Sequence, residues 1–217
     1  MIYVAADSHR YVFENSPFFI RKEIGAATAH NINNKSKSTN NSYLRLMEIV
    51  NLMDKEKDTL IIVCGEIDCR FHIYYQYKKR GEKQTIAEII DETFFNYGEV
   101  MKQLQDQKIK FVISSTTPCG WTYEPYLTLV GATDYMPNFI KRFGPMPTPE
   151  QYIEIYQLFN DKLKAYCNSK GYLYLDIYNK FIALDRHLQK EYALDLQHLN
   201  LKAQPIIIEM LKEMKIL

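Results

Sequence analysis

Short apolar runs alternate along the chain with longer segments whose apolar residues recur at helical spacing. The short runs are rich in β-branched residues, which is typical of buried strands, and strands that alternate with helices indicate βαβ units on a parallel sheet. We therefore expect an α/β fold. The pattern predicts five strands, at residues 2–6, 23–27, 59–65, 110–115 and 172–177, of which the run at 23–27 is the weakest.

The longer segments predict helices that cover the sheet. Thr85, with Glu88 three residues later, is a capping-box pattern, and Thr148 before Pro149 places a cap ahead of a proline at the first helical position. Helices are therefore expected to begin near residues 86 and 149. The full set of predicted helices is 43–53, 86–107, 149–169 and 202–214.

Two segments show no sustained period. Residues 118–149 are rich in proline and also contain glycines and aromatic residues. A loop of this length that follows a strand in a parallel sheet favours a lid or a wall of the substrate site, with a packed surface loop as the alternative. Residues 31–41, rich in Asn, Ser and Lys, predict a flexible surface loop. No repeat or linker divides the chain, so one domain is expected over residues 1–217.

Composition narrows the class of partner. The chain is 47% hydrophobic, and its 27 basic and 26 acidic residues leave a net charge of +1. This balance provides no broad field for nucleic acid or an anionic membrane, although the run 74–80 mixes tyrosines with basic residues. We expect a small or uncharged partner, no nucleic acid and no membrane, with the oligomeric state open.

The lengths of the apolar segments and the spacing of the cysteines predict where the protein is located and the redox state of its thiols. The first apolar run is shorter than a signal segment, and no segment approaches the ~20 apolar residues of a membrane span. A cytoplasmic location is therefore expected. The four cysteines form no Cys-x-x-Cys pair and are expected to be reduced thiols.

A serine stands where the first predicted strand ends. Ser8 follows Asp7 directly after the strand, so it is expected at the carboxyl edge of the sheet, where a nucleophile is exposed and its backbone N–H points into the site. A serine at this position is more often a helix cap. The position alone therefore does not define a site.

A carboxylate and an imidazole lie close together near the end of the chain. Asp195 precedes His198 by three residues, just before the last predicted helix. At this spacing the carboxylate can hold one ring nitrogen while the other faces a serine. A chance surface pair is the commoner explanation for such a motif alone, but together with Ser8 it completes a candidate Ser-His-Asp group.

In content and chain order, these elements resemble the SGNH (GDSL-like) hydrolases. Residues 22–29 resemble the family's second block, in which a glycine N–H, here that of Gly25, helps to bind the oxyanion. Residues 65–70, which begin with Gly65 and end with Arg70, resemble a variant third block. The resemblance implies a three-layer, flavodoxin-like five-stranded parallel sheet with helices on both faces. It also implies Ser8, Asp195 and His198 as the catalytic residues. No cofactor is predicted, because no Gly-rich phosphate loop follows the first strand.

Two positions depart from the family's pattern. Ala6 replaces the glycine before the Asp-Ser pair, which is a tolerable packing change, and Ile67 replaces the asparagine of the third block. An isoleucine side chain cannot donate a hydrogen bond. Because losing one oxyanion donor costs about 100- to 1000-fold in kcat, either another donor compensates or the enzyme is slow. Arg70 is the nearest candidate, and an ion pair with Glu66 or Asp68 is the alternative role for it.

The remaining histidines carry weaker expectations. His9 is expected to point away from Ser8, His72 to join the site wall or lie at the surface, and His30 and His187 to be ordinary residues. Histidines and cysteines do not cluster at ligand spacing, so no metal is predicted.

Three functions fit these residues. A serine esterase or deacetylase would form an acyl-serine and release it to water, and an O-acyltransferase would pass the acyl group to a sugar hydroxyl with the same residues. A non-catalytic glycan-binding module is the third, and Ile67 is the argument for it. The Gly-Glu-Ile-Asp-x-Arg block also resembles a subgroup associated with bacterial or viral surface-glycan biosynthesis, which favours an acylated sugar as the substrate.

Overall fold

Five strands pair in parallel in the computed structural model, which describes residues 1–34, 41–120 and 146–217. Their order across the sheet is β2-β1-β3-β4-β5. The chain passes from β1 to β2 on one side and from β3 to β5 on the other, so the strand order reverses between β1 and β3, where parallel sheets form their crevice. The strands are β1 (Ile2–Ala6), β2 (Phe19–Glu23), β3 (Thr59–Val63), β4 (Phe111–Ser114) and β5 (Leu173–Leu175).

Helices cover the sheet, and two of them begin at the predicted caps. Thr85 and Thr148 each form a complete capping box, the latter with proline in the first turn. These boxes satisfy N–H groups that have no partner within the helix. The helices are α1 (Ser42–Leu52), α2 (Ile73–Lys79), α3 (Ile86–Asp106), α4 (Pro149–Lys170), α5 (Ile177–Phe181) and α6 (Gln204–Glu213).

The core has two halves, one on each face of the sheet. Successive strand residues point to opposite faces, so Leu60 and Ile62 pack with the helices α1, α3 and α4, whereas Ile61 and Val63 pack with α5 and α6. The central strand β3 is buried along its whole length. This arrangement confirms the predicted three-layer, flavodoxin-like fold with helices on both faces.

The second strand lies earlier than predicted. It spans Phe19–Glu23, and the predicted segment 23–27 overlaps it at Glu23 alone. β2 is an edge strand whose residues are largely polar, so it lacks the apolar run that reveals a buried strand. The apolar residues after it belong to a loop in which Gly25 has a φ of +75°.

Two predicted loops fall largely outside the described residues. Residues 121–145 of the predicted lid and 35–40 of the polar loop are not described, so both remain predictions. Among the described residues, no helix is long and apolar enough to span a bilayer. All four cysteines are buried thiols, and no disulfide joins them.

Candidate active site

Ser8 lies at the carboxyl edge of the sheet. It follows β1 and begins a short 3-10 helix, Ser8–Phe13, which is capped by the side chain of Asp7. The neighbouring strands β2 and β3 end at the same edge, because all five strands are parallel. The loops that follow them therefore flank Ser8 on both sides.

His198 connects Ser8 with Asp195. Its Nε2 lies 2.7 Å from Ser8 Oγ, and its Nδ1 lies 2.7 Å from Asp195 Oδ2. Asp195 keeps the proton on Nδ1, so the lone pair of Nε2 faces the serine hydroxyl. The structure thus brings together the three residues that the sequence singled out, across 190 positions of chain.

A tight turn fixes the direction of Asp195 and His198. Asp195 Oδ1 accepts the backbone N–H groups of Gln197 at 2.8 Å and of His198 at 2.9 Å. The turn is closed by the N–H of Leu194, which donates to the carbonyl of His198 at 2.8 Å. One carboxylate oxygen therefore shapes the turn while the other orients the imidazole.

Asp195 is ionised at neutral pH. Partial burial opposes its charge, but the hydrogen bonds from the His198 ring and from the backbone of Gln197 and His198 outweigh burial and lower the pKa to about 2. His198 itself is buried, whereas half of the Asp195 side chain is exposed. The acid of this group therefore faces solvent, and the imidazole is enclosed.

Two glycines occupy the loops on either side of Ser8. Gly25 is buried after β2 with a φ of +75°, and Gly65 follows β3 with a φ of +117°. A Cβ at Gly65 would come within 2.6 Å of the Phe159 ring. Both positions have a positive φ, which glycine adopts without steric cost.

Asp68 ties these two loops together. Its buried carboxylate accepts the N–H of Ala29 at 2.6 Å and of His30 at 3.2 Å. Burial raises the pKa of this carboxyl group to about 7, against the lowering effect of the two N–H donors. The loop after β3 is therefore fastened to the loop that contains Gly25.

Arg70 contacts the turn that carries His198. Its Nη2 lies 3.1 Å from Glu66 Oε2, and its Nη1 donates to Gln197 Oε1. Glu66 is buried and also accepts the hydroxyl of Tyr156 at 2.7 Å. The ion pair with Glu66, expected as the alternative role for Arg70, is thus an interior contact. Arg70 also reaches the candidate active site through Gln197.

The contacts of His9 were not predicted. The ring was expected to point away from Ser8, and the structure shows it buried, with its centroid 4.7 Å from that of His198. Its Nδ1 lies 2.6 Å from Asp7 Oδ1, and its Nε2 lies 3.2 Å from the carbonyl oxygen of Gln197. The sequence contained one signal for these contacts. An aspartate and a histidine flank Ser8 directly, and they are the same residue types as Asp195 and His198.

The loop after β4 also reaches the site. Thr117 Oγ1 donates to the carbonyl of Gln197 at 2.7 Å, and the N–H of Gly120 donates to the carbonyl of Leu196 at 3.0 Å. A Cβ at Gly120 would lie 2.4 Å from that Leu196 oxygen. Beside Asp195 and Leu196 opens a cavity of about 600 Å³, which His187 and Gly120 help to line.

The ring of His72 packs against the ring of His30. Its ring centroid is 4.4 Å from that of His30, and burial lowers the pKa of His72 to about 4. Within the described ranges, no three His, Cys, Asp or Glu side chains are arranged to hold a metal ion.

Solved structures of known proteins share this fold. No family model and no curated protein matches the sequence. A GDSL-like lipase from Bacteroides thetaiotaomicron has a TM-score of 0.61 at 16% identity, covering 99% of this chain and 86% of the lipase. An acetyl xylan esterase has a TM-score of 0.55 at 14% identity, covering 99% of both chains.

A further solved structure agrees with these two. A member of the lipolytic G-D-S-L family from Veillonella parvula has a TM-score of 0.52 at 12% identity, covering 98% of this chain and 96% of that protein. Identities this low establish the fold alone. The chain has the fold of the SGNH, or GDSL-like, hydrolases.

Proposed function

We propose that this protein is a serine hydrolase of acyl esters. The observation that carries the proposal is the continuous hydrogen-bonded chain from Ser8 through His198 to Asp195, with both links at 2.7 Å. A nucleophile, a base and a group that orients the base are the parts that acyl transfer through serine requires. All three lie at the edge of the sheet where this class of fold binds ligands.

The first half of the reaction forms an acyl-serine. His198 Nε2 takes the hydroxyl proton as Ser8 Oγ attacks the ester carbonyl, and Asp195 stabilises the resulting imidazolium. When the tetrahedral intermediate collapses, the bond to the alcohol oxygen breaks, and the alcohol leaves with the proton from His198. Water then attacks the acyl-serine, His198 takes a proton from that water, and the acid leaves as the proton returns to Ser8 Oγ.

The oxyanion is assigned to backbone donors. The N–H groups of Ser8 and Gly25 are the first candidates, with Gly65 on the other flank of the serine turn. Backbone donors are fixed before substrate arrives and so lose no energy to reorganisation. Arg70 supports the site differently, because Glu66 and Gln197 already bind its guanidinium.

The substrate class follows from resemblance. The Gly-Glu-Ile-Asp-x-Arg block favours an O-acylated sugar as the substrate, whereas the fold is shared by an acetyl xylan esterase and a GDSL-like lipase alike. An O-acyltransferase would use the same three residues with a sugar hydroxyl in place of water. A non-catalytic glycan-binding module would gain nothing from an aligned serine, imidazole and carboxylate.

Hydrolysis of p-nitrophenyl acetate by the wild type, Ser8→Ala and Ser169→Ala tests the proposal. Ser169 is an exposed serine near the end of α4 and serves as the matched control. We expect Ser8→Ala to lose at least about 1000-fold in kcat/KM and Ser169→Ala to equal the wild type. Full activity in Ser8→Ala would refute the assignment. Mass spectrometry of products formed with an added sugar separates release of acetate from acetyl transfer.

A further inference from the structure

A second aspartate-histidine pair lies directly beside the first. Asp7 and His9 flank Ser8 in the sequence, and the ring of His9 packs against the ring of His198 at 4.7 Å between centroids. Unlike Asp195, which is half exposed, both side chains of this second pair are almost fully enclosed. The turn that presents the nucleophile therefore also contacts the base.

Both nitrogens of the His9 ring face acceptors. The carbonyl oxygen of Gln197 can only accept, so Nε2 carries a proton, and Nδ1 lies against a carboxylate oxygen of Asp7. Burial disfavours a charged ring, but the Asp7 carboxylate outweighs it and raises the pKa of His9. Burial likewise opposes ionisation of Asp7, whose pKa is nevertheless lowered by the His9 imidazolium, with Arg70 contributing. Glu66, Arg70 and His198 are the other ionisable groups around the pair.

Gln197, the residue before His198, is bound from three loops. Its carbonyl accepts from His9 Nε2 at 3.2 Å and from Thr117 Oγ1 at 2.7 Å. Its side chain accepts from Arg70. The donors follow β1, β4 and β3 respectively, so the rigid ends of three strands determine where the peptide that leads into His198 lies.

We propose that His9, oriented by Asp7, is a positioning residue that fixes the Gln197–His198 peptide and thereby keeps His198 Nε2 within reach of Ser8. His9 acts through His198 and touches no reacting atom. The inference rests on the proposed function, since it explains how the base of that reaction is aligned. A displacement of the base by about 1 Å can cost about 100-fold in rate.

The chain offers a matched control for a merely structural effect. At the opposite end of β1, the N-terminal ammonium of Met1 forms an ion pair with the buried Asp58 at 2.7 Å. Both ion pairs anchor an end of the same strand, but the Asp58 pair lies at the amino edge of the sheet. Asp58→Asn should therefore lower the unfolding temperature without changing turnover.

Steady-state kinetics on a p-nitrophenyl ester test the inference with the variants His9→Phe, His9→Gln and Asp58→Asn. His9→Phe fills the space but removes both hydrogen bonds, and we expect kcat to fall about 10- to 100-fold with KM within about twofold of the wild type. His9→Gln, whose amide can donate to Gln197, should recover part of the loss. Asp58→Asn should retain the wild-type kcat.

Each failure has its own signature. If wild-type turnover depends on Ser8 but His9→Phe keeps the wild-type kcat, the inference is wrong and the proposed function stands. A rise in KM at constant kcat would also overturn it, because His9 would then be gripping substrate. If the wild type shows no Ser8-dependent turnover, the function and the inference fall together.

Folding is controlled independently. Circular dichroism and the unfolding temperature are recorded for every variant. If His9→Phe does not fold, Thr117→Val removes the other hydrogen bond to the same carbonyl, and the inference then requires a lower kcat in both Thr117→Val and His9→Gln. Wild-type kcat in either variant would contradict it.

Discussion

The two ends of the parallel sheet are built from different chemistry. At the amino end, the described ion pairs, such as those of Met1 with Asp58 and of Lys57 with Asp54, have at least one well-exposed partner. At the carboxyl end, Asp195 is half exposed, but six other charged or ionisable side chains are largely enclosed in the protein. They are Asp7, His9, Glu66, Asp68, Arg70 and His198.

This contrast separates stability from function. Burying charged groups is costly unless each is paired, and buried ion pairs contribute little net stability. A fold under pressure for stability alone would not gather them at one edge. Their concentration at the carboxyl end is what a preorganised site requires, so changes there should reduce activity more than stability, and changes at the amino end should do the reverse.

The largest effect is expected from removing the serine and its base. Ser8→Ala and His198→Ala should each lower kcat by about 10⁴- to 10⁶-fold, because neither residue works without the other. The double variant should be little worse than either single one. Burst and steady-state assays of the three proteins check this, and multiplicative losses would show that the two residues do not act as a unit.

Asp195→Asn should cause the next largest loss of activity. The amide cannot hold the proton on His198 Nδ1 in the same way, which favours the wrong tautomer and should lower kcat by about 10⁴-fold. The control is Asp54→Asn, because Asp54 lies before β3, is partly exposed and, like Asp195, accepts the backbone N–H of the residue two positions later. Equal activity in both variants would remove Asp195 from the mechanism.

Gly120→Ala should impair activity through the backbone. The added Cβ would lie 2.4 Å from the carbonyl oxygen of Leu196, so the turn that carries Asp195 and His198 must shift. We expect a loss of about 10- to 100-fold in kcat. Gly81→Ala is the matched control, since nothing lies within 4 Å of its Cβ and its φ of +64° should cost stability without affecting turnover. Unchanged kcat in Gly120→Ala would show that this contact does not position the turn.

Arg70 should give a smaller loss. Arg70→Ala removes the donor to Gln197 and leaves Glu66 buried without its cation, so we expect about a 10-fold fall in kcat together with reduced stability. Arg70→Lys should recover the charge but not the two-sided contact. If KM rises while kcat holds, Arg70 grips substrate instead.

The smallest expected effect is a difference between two buried aspartates, Asp68 and Asp58, in how their contributions to stability change with pH. The folded pKa of Asp68, about 7, lies above its unfolded value, so its contribution to stability is complete below about pH 4 and is lost as the pH rises through about 7. The hydrogen bond from the N-terminal ammonium lowers the pKa of Asp58, so its contribution is present above about pH 4 and is lost as the pH falls through the folded pKa.

Unfolding temperatures at pH 5 and pH 8 distinguish the two aspartates. The wild type should lose more stability than Asp68→Asn between these pH values, whereas Asp58→Asn should be less stable than the wild type at both. Parallel pH curves for the wild type and Asp68→Asn would contradict the raised pKa of Asp68.

Much of the fold was predictable because it depends on local pattern. β1 was predicted at its observed bounds, and the capping boxes at Thr85 and Thr148 marked the starts of α3 and α4. β2 was misplaced because an edge strand carries polar residues, and its position is set by pairing with β1 along the whole strand. No local pattern encodes that pairing.

The candidate site divides in the same way. Ser8, Asp195 and His198 could be found from motifs, since the Asp-x-x-His spacing suits the chemistry and the chain order resembles that of the SGNH hydrolases. The supporting contacts of His9, Thr117 and Arg70 all converge on Gln197, which no motif singles out. They depend on backbone positions brought together from distant loops, which pattern and spacing do not reveal.

Covalent labelling tests most directly whether Ser8 is the residue that becomes acylated. Wild-type protein, Ser8→Ala and His198→Ala are incubated with a fluorophosphonate, and the adduct is located by peptide mass spectrometry. We predict a single adduct on Ser8 of the wild type, greatly slowed labelling of His198→Ala and none of Ser8→Ala. An adduct on another residue, or ester hydrolysis by a wild type whose Ser8 stays unlabelled, would contradict the account.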